Sequence, residues 1–338
     1  MPLSVLDLSP VSAGRTSSDA VRETIELARS TERDGYERFW VAEHHNIASV
    51  ASTAPPVMIA SVAAATSRIR VGSGGIMLPN HAPLQVAETF RVLEALHPGR
   101  IDLGIGRAPG TDQLTALALR RSREALGADD FPQQYAELVA YVDGFPEGHP
   151  FEPISAQPTD VPLPPVWILG SSLFGARAAG AFGTPFAFAG HFGTADPVEA
   201  MEAYRESFRP QQREGAPTKP YSLLAVAAIA SPSEERAHAL ARAAQLSMVR
   251  LRQNRPGPLP SPEEAAAHEW SELDESIGSA FGQFATVGTP DQVAEGIRAR
   301  AEAAGADELM VTTNIHDAQE RRDSYSLLAQ AWGLSSGT

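Results

Sequence analysis

Eight short apolar runs constrain this chain more than any other feature: residues 3–8, 38–42, 69–77, 100–105, 166–169, 186–189, 221–229 and 308–312. Most are nearly continuous in apolar residues instead of alternating, the pattern of strands buried on both faces of a parallel sheet. Helical stretches lie between them, at 18–34, 55–67, 84–96, 131–145, 174–181, 197–209, 232–251, 290–304 and 318–332. The first four runs start at residues 3, 38, 69 and 100, so 31 to 35 residues separate successive starts, the length of one strand-and-helix unit. A count of eight favours a closed (β/α)8 barrel of the TIM type over an open doubly wound sheet. The expectation is an α/β chain forming one such domain over 1–338.

Longer stretches interrupt the rhythm. Residues 109–130 and 144–165 lengthen the fourth unit, and 253–284, Pro-rich and then acidic, precedes the last strand. Loops this long are often functional, and the last one reads equally as a mobile lid or a surface excursion. Thr289-Pro290, Ser231-Pro232 and Asp196-Pro197 mark helix starts, a capping side chain followed by a first-turn proline.

Charge removes several classes of partner. Lys plus Arg number 27 against 41 Asp plus Glu, for a net charge of −14, and no basic patch stands out. Phosphate backbones and anionic lipid would be repelled, so neither nucleic acid nor membrane is expected as a partner. With no cysteine there is no disulfide, thiolate nucleophile or cysteine-bound zinc. The opening MPLSVLDLSP lacks the basic flank and apolar stretch of a signal peptide, and no run approaches the ~18–20 residues that span a bilayer. A cytoplasmic protein is expected.

In such a barrel the site is built where strand C-terminal ends feed the following loops. The second run ends FWVAEHHN, which brings Glu43, His44 and His45 to that face. Two histidines of one strand share a metal only when two apart, because alternate residues face one side. His44 and His45 are adjacent and no His-x-His occurs, so no metal is expected. Glycoside hydrolysis needs two facing carboxyl groups, and the fourth and seventh runs, ending LGIGRAPG and AAIAS, give Glu43 no counterpart.

The fourth run instead supplies Gly104, Gly106 and Arg107. Glycines there clear the backbone for a flat ligand, and Arg107 offers a fork for phosphate; barrel packing and a surface ion pair are the alternative. The fifth run passes through Gly170, Ser171 and Ser172 into a helix of small residues, whose first N–H groups and serine hydroxyls suit an anion. Arg107 on the neighbouring strand completes a phosphate clamp. The third run, IRVGSGGIMLPNHAP, carries Gly72, Gly74 and Gly75, read as a rim bulge or as close approach to a ligand face. His191, in FAFAGHFG at the end of the sixth run, either reaches substrate or is buried and satisfied.

Over almost its whole length the chain resembles the bacterial luciferase-like flavin-dependent monooxygenases. FWVAEHHN is similar to their second-strand signature, and RVGSGGIMLPNHAPLQVAETFRVLEALHPGRIDLGIGRAPG to their third-to-fourth-strand block. VWILGSS resembles their phosphate loop, and VGTPDQVAEGIRARAEAAGADELMV their last strand-and-helix block. The resemblance implies a barrel enzyme that uses reduced FMN and molecular oxygen to oxidise a small organic substrate. It also implies a dimer, often fed by a separate flavin reductase. By position it implies His44 as base or proton carrier, and Arg107, Ser172 and the Gly175 amide, with Ser171, at the flavin phosphate. It puts Gly74-Gly75 beneath the isoalloxazine ring. Gly106 stands where light-emitting members carry a cysteine near the flavin, and Gly74-Gly75 replaces small alanines. Neither light emission nor an aldehyde substrate is therefore expected. Related families use deazaflavin F420 for hydride transfer on the same barrel, and heteromeric luciferases include a non-catalytic flavin-binding subunit. The second-strand histidine favours an enzyme over the latter.

On this reading His44 faces the flavin, while Glu43 and His45 point away and fix the strand end by hydrogen bonds. The Gly74–Gly75 peptide is expected to be cis, since the aligned pair in the resembled family is so and the glycine cluster has no evident packing value. Residues 55–67 are nearly devoid of charge, and 84–96 carries Leu84, Val86, Ala87, Phe90, Val92 and Leu93. An outer barrel helix without a polar face wants cover, and the resemblance implies that these two pair in a homodimer.

Overall fold

The protein's structure, a computed structural model, describes residues 1–123, 130–193, 195–213 and 215–335. In chain order the first half comprises β1 (Leu3–Asp7), α1 (Ser17–Arg33), β2 (Arg38–Val41), α2 (Pro55–Ala65), β3 (Arg70–Ser73), β4 (Ile76–Met77), a 3₁₀ turn (Leu78–Asn80), α3 (Pro83–Leu96), β5 (Ile101–Gly106), α4 (Gln113–Arg120) and α5 (Phe131–Asp143). The second half comprises β6 (Val166–Gly170), α6 (Leu173–Phe182), β7 (Phe186–Ala189), α7 (Pro197–Ser207), β8 (Ser222–Ala230), α8 (Glu234–Arg252), α9 (Pro262–Ala267), α10 (Glu272–Gly282), β9 (Ala285–Gly288), α11 (Pro290–Ala304), β10 (Glu308–Thr312) and α12 (Ala318–Trp332).

Every strand pairing is parallel, and the path β1-β2-β3-β5-β6-β7-β8 closes through β10 back to β1. All eight expected strands are present, in a closed barrel ringed by helices. The third run is split: Gly74–Gly75 is cis, as expected, and β4 resumes beyond it by pairing with β5. β9, not expected, lies outside the ring against the end of β8. Its half-buried ATVG lacks the apolar run that revealed the others.

Alternation sorts the strands' side chains into two layers. Phe39 and Val41 of β2 join the large outer core beneath the helices, whereas Trp40 joins Leu6, Trp167, Leu223 and Met310 inside the barrel. Trp40 and Trp167 meet edge to face, with ring centres 5.2 Å apart. At the strands' N-terminal ends ion pairs floor the lumen. Arg38 bonds Asp102 at 2.8 Å and Glu308 at 2.7 Å, Arg70 bonds Asp102 at 2.6 Å, and Tyr221 donates to Glu308 at 2.9 Å. Two indoles and a floor of ion pairs thus fill the lower half of the barrel.

The glycines do have packing value, contrary to expectation. A Cβ on Gly104 would lie 2.1 Å from the Ser73 carbonyl oxygen, and one on Gly72 would lie 2.6 Å from that of Asp102. On Gly74 it would meet Leu6 at 2.7 Å, and on Gly75 the Gly104 carbonyl at 2.8 Å. β3 and its continuation pack too closely against β5 for side chains at Gly72, Gly75 and Gly104, and against β1 and β2 at Gly74. Gly106 is the exception, since a Cβ would meet only the flexible Met77 sulfur, at 3.3 Å.

Two of the three expected helix starts hold. Thr289 and Gln292 form a capping box on α11, and Asp196 accepts from the Val198 N–H at the start of α7. Ser231-Pro232 does not cap α8: the helix begins two residues later, where Ser233 accepts from the Arg236 N–H. The 144–165 stretch is anchored by Arg91, whose guanidinium donates to the carbonyls of Ala156, Thr159 and Val161. Within 253–284, α9 and α10 pack on α8, and Leu259 pairs by backbone with Val11 and Ala13 near the mouth. The 109–130 stretch contains α4, and its residues 124–129 lie outside those described.

Candidate active site

The upper half of the lumen is lined with small residues. Ala189 and Ala227 alternate with Phe188, Val226 and Ala228 of the outer core, so they face inward, and both are only half-buried where their neighbours are sealed. Leu8, Leu169 and His44 are half-buried at the same level. Gly74, Gly75, Gly104 and Gly106 lie on the β3, β4 and β5 side of the same end, and of these only Gly106 faces nothing but a flexible side chain, that of Met77.

His44 lies three residues beyond the end of β2 at Val41, near enough to His191 after β7 to act on its charge. Its Nδ1 lies 3.1 Å from the Gly110 carbonyl oxygen. A carbonyl only accepts, so Nδ1 carries the proton and Nε2 is the basic nitrogen. Burial draws the His44 pKa below its ordinary 6.5, against the opposing pull of the Gly110 carbonyl and Glu43. The ring is therefore neutral at pH 7, with its lone pair at Nε2.

Glu43 points the other way and is fully buried. It accepts from His45 Nε2 at 2.9 Å, from the Met77 N–H at 2.9 Å and from His81 Nε2 at 2.9 Å. The expected strand-end bonding of Glu43 and His45 is present. His81 was missed, although PNHAP directly follows the third run and offered an imidazole at the same face.

His191 follows β7, and His44 is close enough to depress its pKa. Burial first, then His44, brings it to about 4 against the opposing Ala225 carbonyl. Its Nδ1 is shut off from solvent without a hydrogen-bond partner. The satisfied-histidine reading of the sequence fails for that atom, which leaves room for a ligand contact.

At the neighbouring strands, Ser172 precedes α6 as its N-cap but its side chain makes no capping bond. Gly170 and Gly175 pack backbone to backbone; a Cβ on either would lie 3.1 Å from the other's Cα. That contact draws the first turn of α6 down onto the end of β6. The Arg107 guanidinium lies 4.2 Å from the ring centre of Phe174, in that same turn. Arg107, Ser171, Ser172 and Gly175 are therefore brought together, and the helix start suits a phosphate. Among the described residues no cluster of histidine and carboxylate side chains could hold a metal ion, and no helix is long and apolar enough to cross a membrane.

Comparison with known proteins agrees with this architecture. The model of the luciferase-like monooxygenase family matches residues 1–329. The uncharacterized protein YvbT of Bacillus subtilis is 43% identical over 98% of this chain and 96% of its own length. A luciferase-like monooxygenase of Escherichia coli K12 is 40% identical over 96% of this chain and 95% of its own. The crystal structure of apo-MsnO8 superposes with a TM-score of 0.87 at 37% identity, covering 99% of both chains. The chain belongs to the luciferase-like monooxygenase family.

Proposed function

We propose that the protein is a monooxygenase that binds reduced FMN in the upper lumen and uses molecular oxygen to oxidise a small organic substrate. One observation carries the reading: an imidazole held at Nδ1 by Gly110, a second imidazole whose buried Nδ1 lacks a partner, and a helix start beside Arg107 all lie at the C-terminal ends of the strands. Reduced flavin, when bound, supplies the electrons that activate oxygen. Arg107, the Ser171 and Ser172 hydroxyls and the Gly175 N–H hold its phosphate. Gly74 and Gly75 lie beneath the ring, Gly106 leaves it room beside Met77, and the apolar walls keep water out. His44 takes and returns a proton at Nε2. His191 orients the ligand through Nδ1.

Solved structures of similar fold include an FMN complex of a type II Baeyer-Villiger monooxygenase constituent and an F420-dependent secondary alcohol dehydrogenase. At 18% and 14% identity they support the barrel alone. FMN is preferred because the 40%-identical relative is named a monooxygenase, whereas F420 serves hydride transfer. A separate reductase supplies the reduced flavin, in the cytoplasm. A second copy of the chain covers α2 and α3, where Val57, Val92 and Leu96 are exposed. The test is His44→Ala: turnover with reduced FMN and an oxidisable substrate should fall ~10²–10⁴-fold while FMN affinity holds. Unchanged turnover would refute the role of His44.

A further inference from the structure

Glu43 takes no part in the chemistry proposed for His44, yet it is a fully buried carboxylate next to it. Its donors come from three places: His45 from the loop after β2, Met77 from β4, and His81 from just past the 3₁₀ turn. Burial pushes the carboxyl pKa up, but the His81, His45 and Met77 contacts outweigh it and leave Glu43 below the usual carboxylate range. It is an anion at neutral pH, with both oxygens engaged.

The next links lead to His44. A Cβ on Gly110 would lie 2.7 Å from the Glu43 carbonyl oxygen and 3.1 Å from Met77 Cγ, so both residues wall Gly110 in. Asn80, closing the 3₁₀ turn, donates to the Pro109 carbonyl at 3.0 Å. The Gly110 carbonyl then receives the His44 Nδ1–H at 3.1 Å. We propose that Glu43 is the positioning residue of the site: its carboxylate locks the end of β2 to β4 and the 3₁₀ turn, and through them holds Gly110 where it fixes His44 with Nε2 toward the lumen. The catalytic consequence rests on the function proposed above; the geometry does not.

Glu43→Gln tests this with little change of shape. The amide replaces an acceptor with an NH₂ group, which must face either the Met77 N–H or an imidazole N–H, so one arm of the clamp breaks or a ring changes tautomer. The titratable groups that face His44 are Glu43 and His45 from its own segment and His191 from the end of β7, with His81 on the far side of Glu43. Of these only Glu43 favours the protonated ring, so removing its charge lowers the His44 pKa further.

The experiment is ¹⁵N NMR of the histidine rings in the apoprotein, titrated for wild type and Glu43→Gln. Wild-type His44 should hold one tautomer, protonated at Nδ1. In Glu43→Gln the ring should become a tautomer mixture, with its pKa below the wild-type value. His81→Ala, at an exposed position, removes one arm of the clamp and should loosen the tautomer preference, which keeps the test open if the first variant fails to fold. A purely structural Glu43 would lower the melting temperature and leave the His44 tautomer and pKa as in wild type; that result overturns the proposal. If the ring signals change as expected while turnover stays at the wild-type rate, the positioning role stands and the proton-carrying role of His44 falls.

Discussion

Two side chains at the mouth of the barrel make opposite demands on solvent, and each can be tested alone. Arg107 is exposed and lies over Phe174, beside the start of α6. Arg107→Ala should weaken FMN binding by about 1.5–3 kcal/mol, the scale of a charge-assisted hydrogen bond. Riboflavin, lacking the phosphate, should bind each protein equally, and parallel losses in fluorescence titrations would make Arg107 a structural residue. The His191 ring is half-buried with its Nδ1 sealed from solvent, and burial holds its pKa at about 4 against an ordinary 6.5. Between those values the unfolded chain takes a proton that the folded one refuses, so stability rises with pH across that window. The contribution is at most about 3.5 kcal/mol, present in full above pH 6.5 and lost as pH falls toward 4. Urea midpoints at both ends of the window should show this slope in wild type and a shallower one in His191→Asn.

Strands were easier to read than the spaces between them. The eight runs identified the barrel because strands buried on both faces must be apolar throughout, and that pattern is local. FWVAEHHN brought His44 to the C-terminal end of the barrel for the same reason, since the apolar run of β2 stops just before it. The Glu43 clamp was legible only in part, because His81 and Met77 reach it across 38 and 34 positions of chain. The glycines misled because the close approach of β3 to β5 is a property of two strands that neither shows alone. Single substitutions separate the two kinds of glycine. Gly104→Ala forces a methyl against the Ser73 carbonyl and should destabilise by more than ~2 kcal/mol. Gly106→Ala meets only the Met77 side chain, so it should cost little stability while altering flavin affinity. Thermal melts and flavin titration of both variants check the contrast.

At the scale of the whole molecule, the closed sheet separates two tasks. Ion pairs and indoles fix the floor of the lumen, and the loops at the opposite end are free to carry chemistry. The outer face of α2 and α3 fits neither task, and sedimentation at micromolar concentration should show a dimer that Val57→Glu, at a 65% exposed position, disrupts. The central claim is that the upper lumen is an FMN site with its phosphate on α6 and Arg107. Anaerobic titration of the apoprotein with reduced FMN, reduced F420 and reduced riboflavin, followed by the fluorescence of the lumen tryptophans Trp40 and Trp167, tests it most directly. Reduced FMN should bind tightest, with riboflavin weaker by the loss of its phosphate contacts. Tighter binding of F420, or equal binding of FMN and riboflavin, would contradict the account.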